Sequence, residues 1–303
     1  MKYFLFTIIL CWTVSFTGVN AKEPVTVILT AGQSNTDGRI LNEFLPAYIQ
    51  ANKYKYCHWM YGSAGQLMTD GFELFWPKIN NPAQPDKWAY DAVTYYFLEL
   101  AIQKPFYVVK WSLGGTAIDT GCRSNSEKYW NASPEFLAKN HSTLTGGKSL
   151  LLSFTETISL AVDSTLASLP EGYEVKAFLW HQGESDCQCG KNYYQNLKQL
   201  VNYVRDFLVK KTGSKHYNQL PFICGTVSRV NRQYNKDVER AMLQLSKEDK
   251  NFYVIDMSEA ELQKDQLHFT QKSAEYLGVQ IYNKLVDLGV AGKNGRKAEV
   301  TFH

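Results

Sequence analysis

Five near-continuous apolar runs, at 25–29, 105–111, 175–180, 221–227 and 251–255, recur along this 303-residue chain, with stretches of helical periodicity between them. Strands alternating with helices form a parallel sheet, because each return to the same edge passes through a helix packed on a face. Apolar runs without polar alternation suit strands covered on both sides. The pattern predicts an α/β fold of three layers, α/β/α, around a central, mainly parallel five-stranded sheet. Helices are expected at 88–103, 150–169, 193–211, 236–247 and 271–288. A further short strand at 56–61 is weakened by Lys55 and His58. The segments 41–87 and 120–148 lack clean periodicity, and long irregular loops in a compact domain are usually functional.

Met1-Lys2, the apolar stretch 3–16 and Gly18-Val19-Asn20-Ala21 have the three parts of a secretory signal, with cleavage expected after Ala21. The apolar run is shorter than the roughly 20 residues that a membrane-spanning helix needs. The expectation is therefore a signal peptide at 1–21, then a single catalytic domain at 22–303 exported to the periplasm or the extracellular space, with no membrane attachment after cleavage. No repeat or Pro/Gly/Ser linker divides the chain. With 32 basic and 29 acidic residues interspersed, net charge is +3, and no field selects nucleic acid or an anionic membrane.

Five cysteines follow the signal: Cys57, Cys122, Cys187, Cys189 and Cys224. Disulfides persist in oxidising compartments. Cys224 lies in an apolar strand and reads as a buried thiol, leaving Cys57, Cys122, Cys187 and Cys189 for up to two bridges in three connectivities. At least one bridge is expected to pin the loop after Asp186. Cys187-Gln188-Cys189 is too closely spaced for a zinc pair and has no matching pair elsewhere, so no metal site is expected.

Loops that follow parallel strands share one rim of the sheet, where open α/β folds bind ligands. On that rim the sequence places Gly32-Gln33-Ser34-Asn35, Gly114-Gly115-Thr116, His181-Gln182-Gly183-Glu184 and Asp265-Gln266-Leu267-His268. A serine needs a base to become a nucleophile. His268 can take its proton, and Asp265, three residues upstream, can orient the imidazole. Taken singly, Ser34 reads more readily as a cap of the next helix than as a catalyst, His268 could cap the helix near Thr270, and Asp265 could be a solvated turn carboxylate. Independent capping, however, does not require all three at matching strand ends. The tetrahedral oxyanion needs donors, and the natural ones are the backbone N–H groups of Ser34 and Gly115 and the side-chain amide of Gln182. Glu184 is a rival triad acid or a group supporting the loop. Gly146-Gly147-Lys148-Ser149 imitates a phosphate loop but lacks its first glycine and a preceding strand.

These four blocks resemble those of the SGNH (GDSL-like) hydrolases, specifically the carbohydrate-esterase branch that includes acetylxylan esterases and sialate O-acetylesterases. The resemblance spans nearly the whole chain after the signal. It implies the flavodoxin-like SGNH fold, Ser34 as nucleophile, Asp265 and His268 as acid and base, and Gly115 and Gln182 in the oxyanion hole. It also implies hydrolysis of O-acetyl groups from a polysaccharide or glycan, without a metal or organic cofactor. Where this branch commonly continues Met-Ala-Gly-Arg, this chain reads Thr36-Asp37-Gly38-Arg39, which alters the pocket floor. Lipase-like relatives often carry Gly-x-Asn-Asp in the third block, so Gln182 argues against a lipid esterase, and a GDSL-type lipase or thioesterase would need an apolar acyl groove that the polar, aromatic loops do not suggest. Aromatic residues in the loops 54–61, 72–88 and 129–130 could stack on sugar faces. A non-catalytic carbohydrate-binding protein on the same fold is the alternative of another class.

Overall fold

The computed structural model describes residues 22–78 and 84–299, so the expected signal segment lies outside the described residues. Six parallel strands make the sheet: β1 (Val25–Gly32), β2 (Cys57–Ser63), β3 (Phe106–Ser112), β4 (Tyr173–His181), β5 (Phe222–Gly225) and β6 (Phe252–Ile255). Their order is β6-β5-β4-β1-β3-β2, and two-residue strands at Gln66–Leu67 and Glu73–Leu74 pair antiparallel with β2 to complete eight. The five-strand expectation is thus one parallel strand short. The missing one is the stretch that Lys55 and His58 obscured; β2 lies towards the edge, where His58 needs only partial burial.

Alternation along β1 divides the core. Val27, Leu29 and Ala31 face one cluster, and Ile28 faces the other. The first cluster is closed by α3 (Leu150–Ser164), α4 (Gly190–Thr212) and α5 (Lys236–Glu248), through residues such as Phe154, Leu197 and Met242. The second is closed by α2 (Tyr90–Ile102) and α6 (Gln271–Asp287), through Tyr95, Leu277 and Ile281. Ser149, at the end of the phosphate-loop lookalike, caps α3 by accepting from Leu152 N–H. One helix with its trailing turn, Leu150–Ser168, is long and apolar enough to cross a membrane, but Leu150, Phe154 and Ile158 are buried in this core.

The chain leaves β1 for β2 on one side, returns to β3, then crosses to β4 on the other. The neighbours of β1 are therefore β3 and β4, the switch point at which an open sheet leaves a crevice beyond its strand ends. Register sharpens this: Gly32 stands opposite both Ser112 and His181.

Candidate active site

Beyond that row of residues three loops meet. A Cβ on Gly32 would stand 2.3 Å from the His181 carbonyl oxygen and 2.4 Å from Thr36 Oγ1, so only glycine lets β1 turn here. The turn opens the one-turn helix α1 (Ser34–Asp37), with Ser34 at its first position and 4% exposed. Against it lies Gly114, where a Cβ would stand 3.2 Å from Ser34 Cβ and 2.1 Å from Nη2 of Arg39. Among the described residues no acceptor takes the N–H of Ser34 or of Gly115, which leaves both open to an incoming oxygen.

The fourth block arrives through Asn35. Its Oδ1 accepts from Phe269 N–H at 3.1 Å, and its Nδ2 donates to Glu184 Oε1 at 2.9 Å. One side chain thus joins the turn after β1, the loop after β4 and the loop bearing His268. In that last loop His268 Nδ1 lies 2.6 Å from Asp265 Oδ2, while Asp265 Oδ1 accepts from the N–H groups of Leu267 (3.0 Å) and His268 (3.1 Å). Burial pushes the Asp265 carboxyl up, but the backbone N–H of His268, its imidazole and the N–H of Leu267 outweigh it and hold the group below its usual range. The imidazole is thereby oriented. Among the described residues Ser34 Oγ makes no hydrogen bond, so its contact with His268 is not closed in this structure. Catalytic hydrogen bonds without substrate are often longer than in the reacting complex.

Two sequence-level assignments change. Gln182 is fully buried, and its amide nitrogen donates to the Thr116 carbonyl at 3.0 Å and to Asp186 Oδ2 at 2.6 Å, while Oε1 accepts from Tyr193 O–H at 3.0 Å. With both N–H bonds committed, Gln182 braces the loop after β3 and has none left for an oxyanion. Asp186 adds to that brace, accepting from Ile118 and Asp119 N–H at 2.9 and 2.8 Å. Burial raises its carboxyl to about 6 against those donors. Glu184, the rival acid, lies instead on His181, with Oε1 3.1 Å from Nε2 and both side chains buried. Burial pushes the Glu184 carboxyl up, but His181 and then its other donors prevail and hold it low.

The expected bridge after Asp186 is Cys122–Cys189, which fastens the loop after β3 to the start of α4. Cys57 and Cys224 are buried free thiols, and Cys187 is a half-buried one, so no second bridge forms among the four candidates. Trp59, Tyr61, Trp88 and Trp130 are fully buried in the cores, which withdraws them as sugar platforms. Sequence reasoning passed over Asn35 and the pairing of Asp37 with Arg39. Asp37 Oδ2 accepts from Arg39 Nη1 at 2.8 Å, and its Oδ1 accepts from Tyr61 O–H at 2.9 Å and Ser112 O–H at 3.1 Å. The buried charge has a partner on every side, and the departure from the usual Ala made it visible in the sequence. Among the described residues no three His, Cys, Asp or Glu side chains cluster to hold a metal ion.

A parallel α/β sheet with a serine turn, an oriented histidine and open N–H groups at its switch point is the framework of an esterase. A family profile described as carbohydrate esterase, sialic acid-specific acetylesterase matches residues 24–287, and the chain belongs to that carbohydrate-esterase family. Among solved structures, a protein from Arabidopsis thaliana superposes with TM-score 0.60 at 18% identity, covering 87% of this chain and 98% of the other. NanS superposes with TM-score 0.58 at 14% identity, covering 88% and 98%. A carbohydrate acetylesterase from Xanthomonas citri superposes with TM-score 0.52 at 15% identity, covering 87% of this chain and 56% of that one. At these identities the likeness is one of fold. Comparison with curated protein sequences gives no significant match.

Proposed function

We propose that this carbohydrate esterase removes O-acetyl groups from a glycan through an acetyl-enzyme on Ser34. The observation that carries the reading is the tie between Asn35 and Phe269, which sets the turn of Ser34 against the loop in which Asp265 orients His268. Ser34 Oγ attacks the acetyl carbonyl carbon as its proton passes to His268 Nε2. The intermediate's oxyanion is held by the N–H groups of Ser34 and Gly115, and collapse expels the sugar hydroxyl, which takes the proton back from His268. Water, deprotonated by the same imidazole, then releases acetate. Asp265 stabilises the imidazolium without itself taking the proton.

The polysaccharide substrate class rests on the resemblance to acetylxylan esterases. The second reading, an O-acetylated sialic acid, is favoured by the family's description. Export to the periplasm or outside the cell completes the proposal, and the Cys122–Cys189 bridge supports it, because such bridges persist where the medium is oxidising.

Acetate release from acetylated xylan, acetylated sialic acid and p-nitrophenyl esters of increasing acyl length, measured beside Ser34→Ala, tests the reading. Release confined to acetyl and lost in the variant is expected, with the preferred glycan naming the substrate. Turnover that survives Ser34→Ala overturns the mechanism, and glycan binding without ester cleavage returns the chain to a binding role.

A further inference from the structure

A cavity of about 480 Å³ is lined by Arg39, Phe44, Gln263 and Lys272 among others. Two contacts tie its lining to the candidate site. Nη2 of Arg39 lies against Gly114, the residue packed on Ser34, and Gln263 N–H donates to the His268 carbonyl at 2.7 Å. A second cavity, of about 620 Å³, follows beyond it and shares Glu261 and Lys272 with the first. Its lining also includes Asp256 and Tyr276. Sites for whole drug-sized ligands span about 300–1,000 Å³, so two such cavities in series exceed what one sugar ring fills.

From this geometry we propose, on the esterase reading above, that the two cavities form one groove for a glycan chain, and that the enzyme takes oligomeric or polymeric substrates in preference to a free acetylated monosaccharide. Three features fit that occupant. Phe44 is 51% exposed at the groove, an unburied aromatic face of the kind that packs on a sugar ring. Lys272 makes no ion pair among the described residues, and Arg39 spends Nη1 on Asp37 and the Gly38 carbonyl, leaving Nη2 for a hydroxyl. The lining is neutral to negative: Arg39 is offset by Asp37 and Lys272 by Glu261, while the outer cavity adds Asp256 and Glu259, its Arg229 being already held by Glu239 at 2.9 Å. Such a lining suits a neutral, hydroxyl-rich chain and disfavours a polyanion.

The test compares wild type, Phe44→Ala and Lys272→Ala on p-nitrophenyl acetate and on O-acetylated oligosaccharides of one to five units. Wild-type KM is expected to fall with chain length. Phe44→Ala should raise KM for oligosaccharides about tenfold, the loss of roughly 50 Å² of apolar contact, and leave kcat/KM on p-nitrophenyl acetate unchanged. Lys272→Ala should raise KM only for the longer chains. A KM independent of chain length, or variants that change both substrates alike, overturns the groove. Failure of the esterase reading is distinguishable, since it removes Ser34-dependent turnover on every ester. The groove is then judged by calorimetric titration of Ser34→Ala with deacetylated oligosaccharides, where tightening with length supports it and equal or absent binding refutes it.

Discussion

Replacing Asn35 by alanine strikes the joint on which the candidate site depends. The wild-type amide satisfies the buried N–H of Phe269 and gives Glu184 one of its donors, at 3.1 and 2.9 Å. Removing a neutral hydrogen bond costs about 1 kcal/mol, and removing one to a charged group about 1.5–3 kcal/mol. The sum, about 3 kcal/mol, corresponds to a fall in Tm of roughly 6–12 °C for a domain of this size. Among the described residues Glu184 Oε2 already lacks a hydrogen-bond partner, which places the expected cost towards the upper end. The functional effect is separate from the stability effect. Phe269 adjoins His268, and an unpinned loop lets the imidazole drift from Ser34; a displacement of about 1 Å can cost 10²-fold in rate. Turnover of p-nitrophenyl acetate at 15 °C, where the variant is still folded by circular dichroism, should fall at least tenfold. Asn35→Asp separates the two hydrogen bonds, because it keeps an acceptor for Phe269 N–H but sets a second carboxylate against Glu184. It should lose as much stability as Asn35→Ala and retain more activity. An Asn35→Ala enzyme that is destabilised yet turns over like wild type would refute the argument that this side chain positions His268.

Asp186 provides a pH test. Its native carboxyl titrates near 6, above the ordinary 3.8, so the folded state binds the proton more tightly than the unfolded chain. Its ionisation therefore costs stability above pH 6 and costs nothing below 3.8, a difference of about 3 kcal/mol for a shift of about two units. The opposite sign applies to Glu184 and Asp265, whose lowered values stabilise the fold above the ordinary carboxylate range and lose that effect as pH falls. In urea titrations the stability of Asp186→Asn relative to wild type should accordingly rise between pH 3.8 and 6, and a flat difference contradicts the assignment. Lys110 and Asp91 form a buried pair at 2.6 Å, with side chains 5% and 1% exposed. Lys110→Met, which strands the carboxylate, should cost roughly 3–5 kcal/mol in denaturant unfolding, whereas Lys110→Met combined with Asp91→Leu should recover most of it; equal losses in the two proteins would dismiss the pair. The Cys122–Cys189 bridge closes a separation of 67 residues, so Cys122→Ala with Cys189→Ala should lower stability by about 4 kcal/mol, and an unchanged urea midpoint would show that the loop is held without it.

The architecture was legible because both faces of the sheet are covered. That makes β1, β3 and β4 continuous apolar runs, and the amphipathic α4 and α5 show their period plainly. β2 was obscured because, near the edge, it tolerates the half-buried His58. At the site, the strand-end blocks could be brought to one rim from topology alone, and Asp265 could be matched to His268 because they lie only three positions apart. Gln182 failed for the complementary reason. Its position on the rim follows from β4, but the direction of its amide is set by Thr116, Asp186 and Tyr193, two of them contributed from elsewhere in the chain. Spacing cannot reveal which way a buried amide points.

The Thr36-Asp37-Gly38-Arg39 departure follows the same logic and links the site to its groove. An alanine at position 37 would leave Tyr61 and Ser112 without their shared acceptor and Arg39 without its counter-charge. Asp37 instead uses one edge of the guanidinium, and the remaining nitrogen lies against Gly114, the residue packed on Ser34. A free arginine at that point would present a whole positive charge to the sugar and favour a carboxylate there. One already paired with a buried aspartate presents mainly a directional donor, which discriminates hydroxyl geometry more than net charge. The substitution that distinguishes this chain from the commoner pattern therefore biases its groove towards neutral sugars, and the preference between acetylated xylan and acetylated sialic acid is the comparison in which that bias is read.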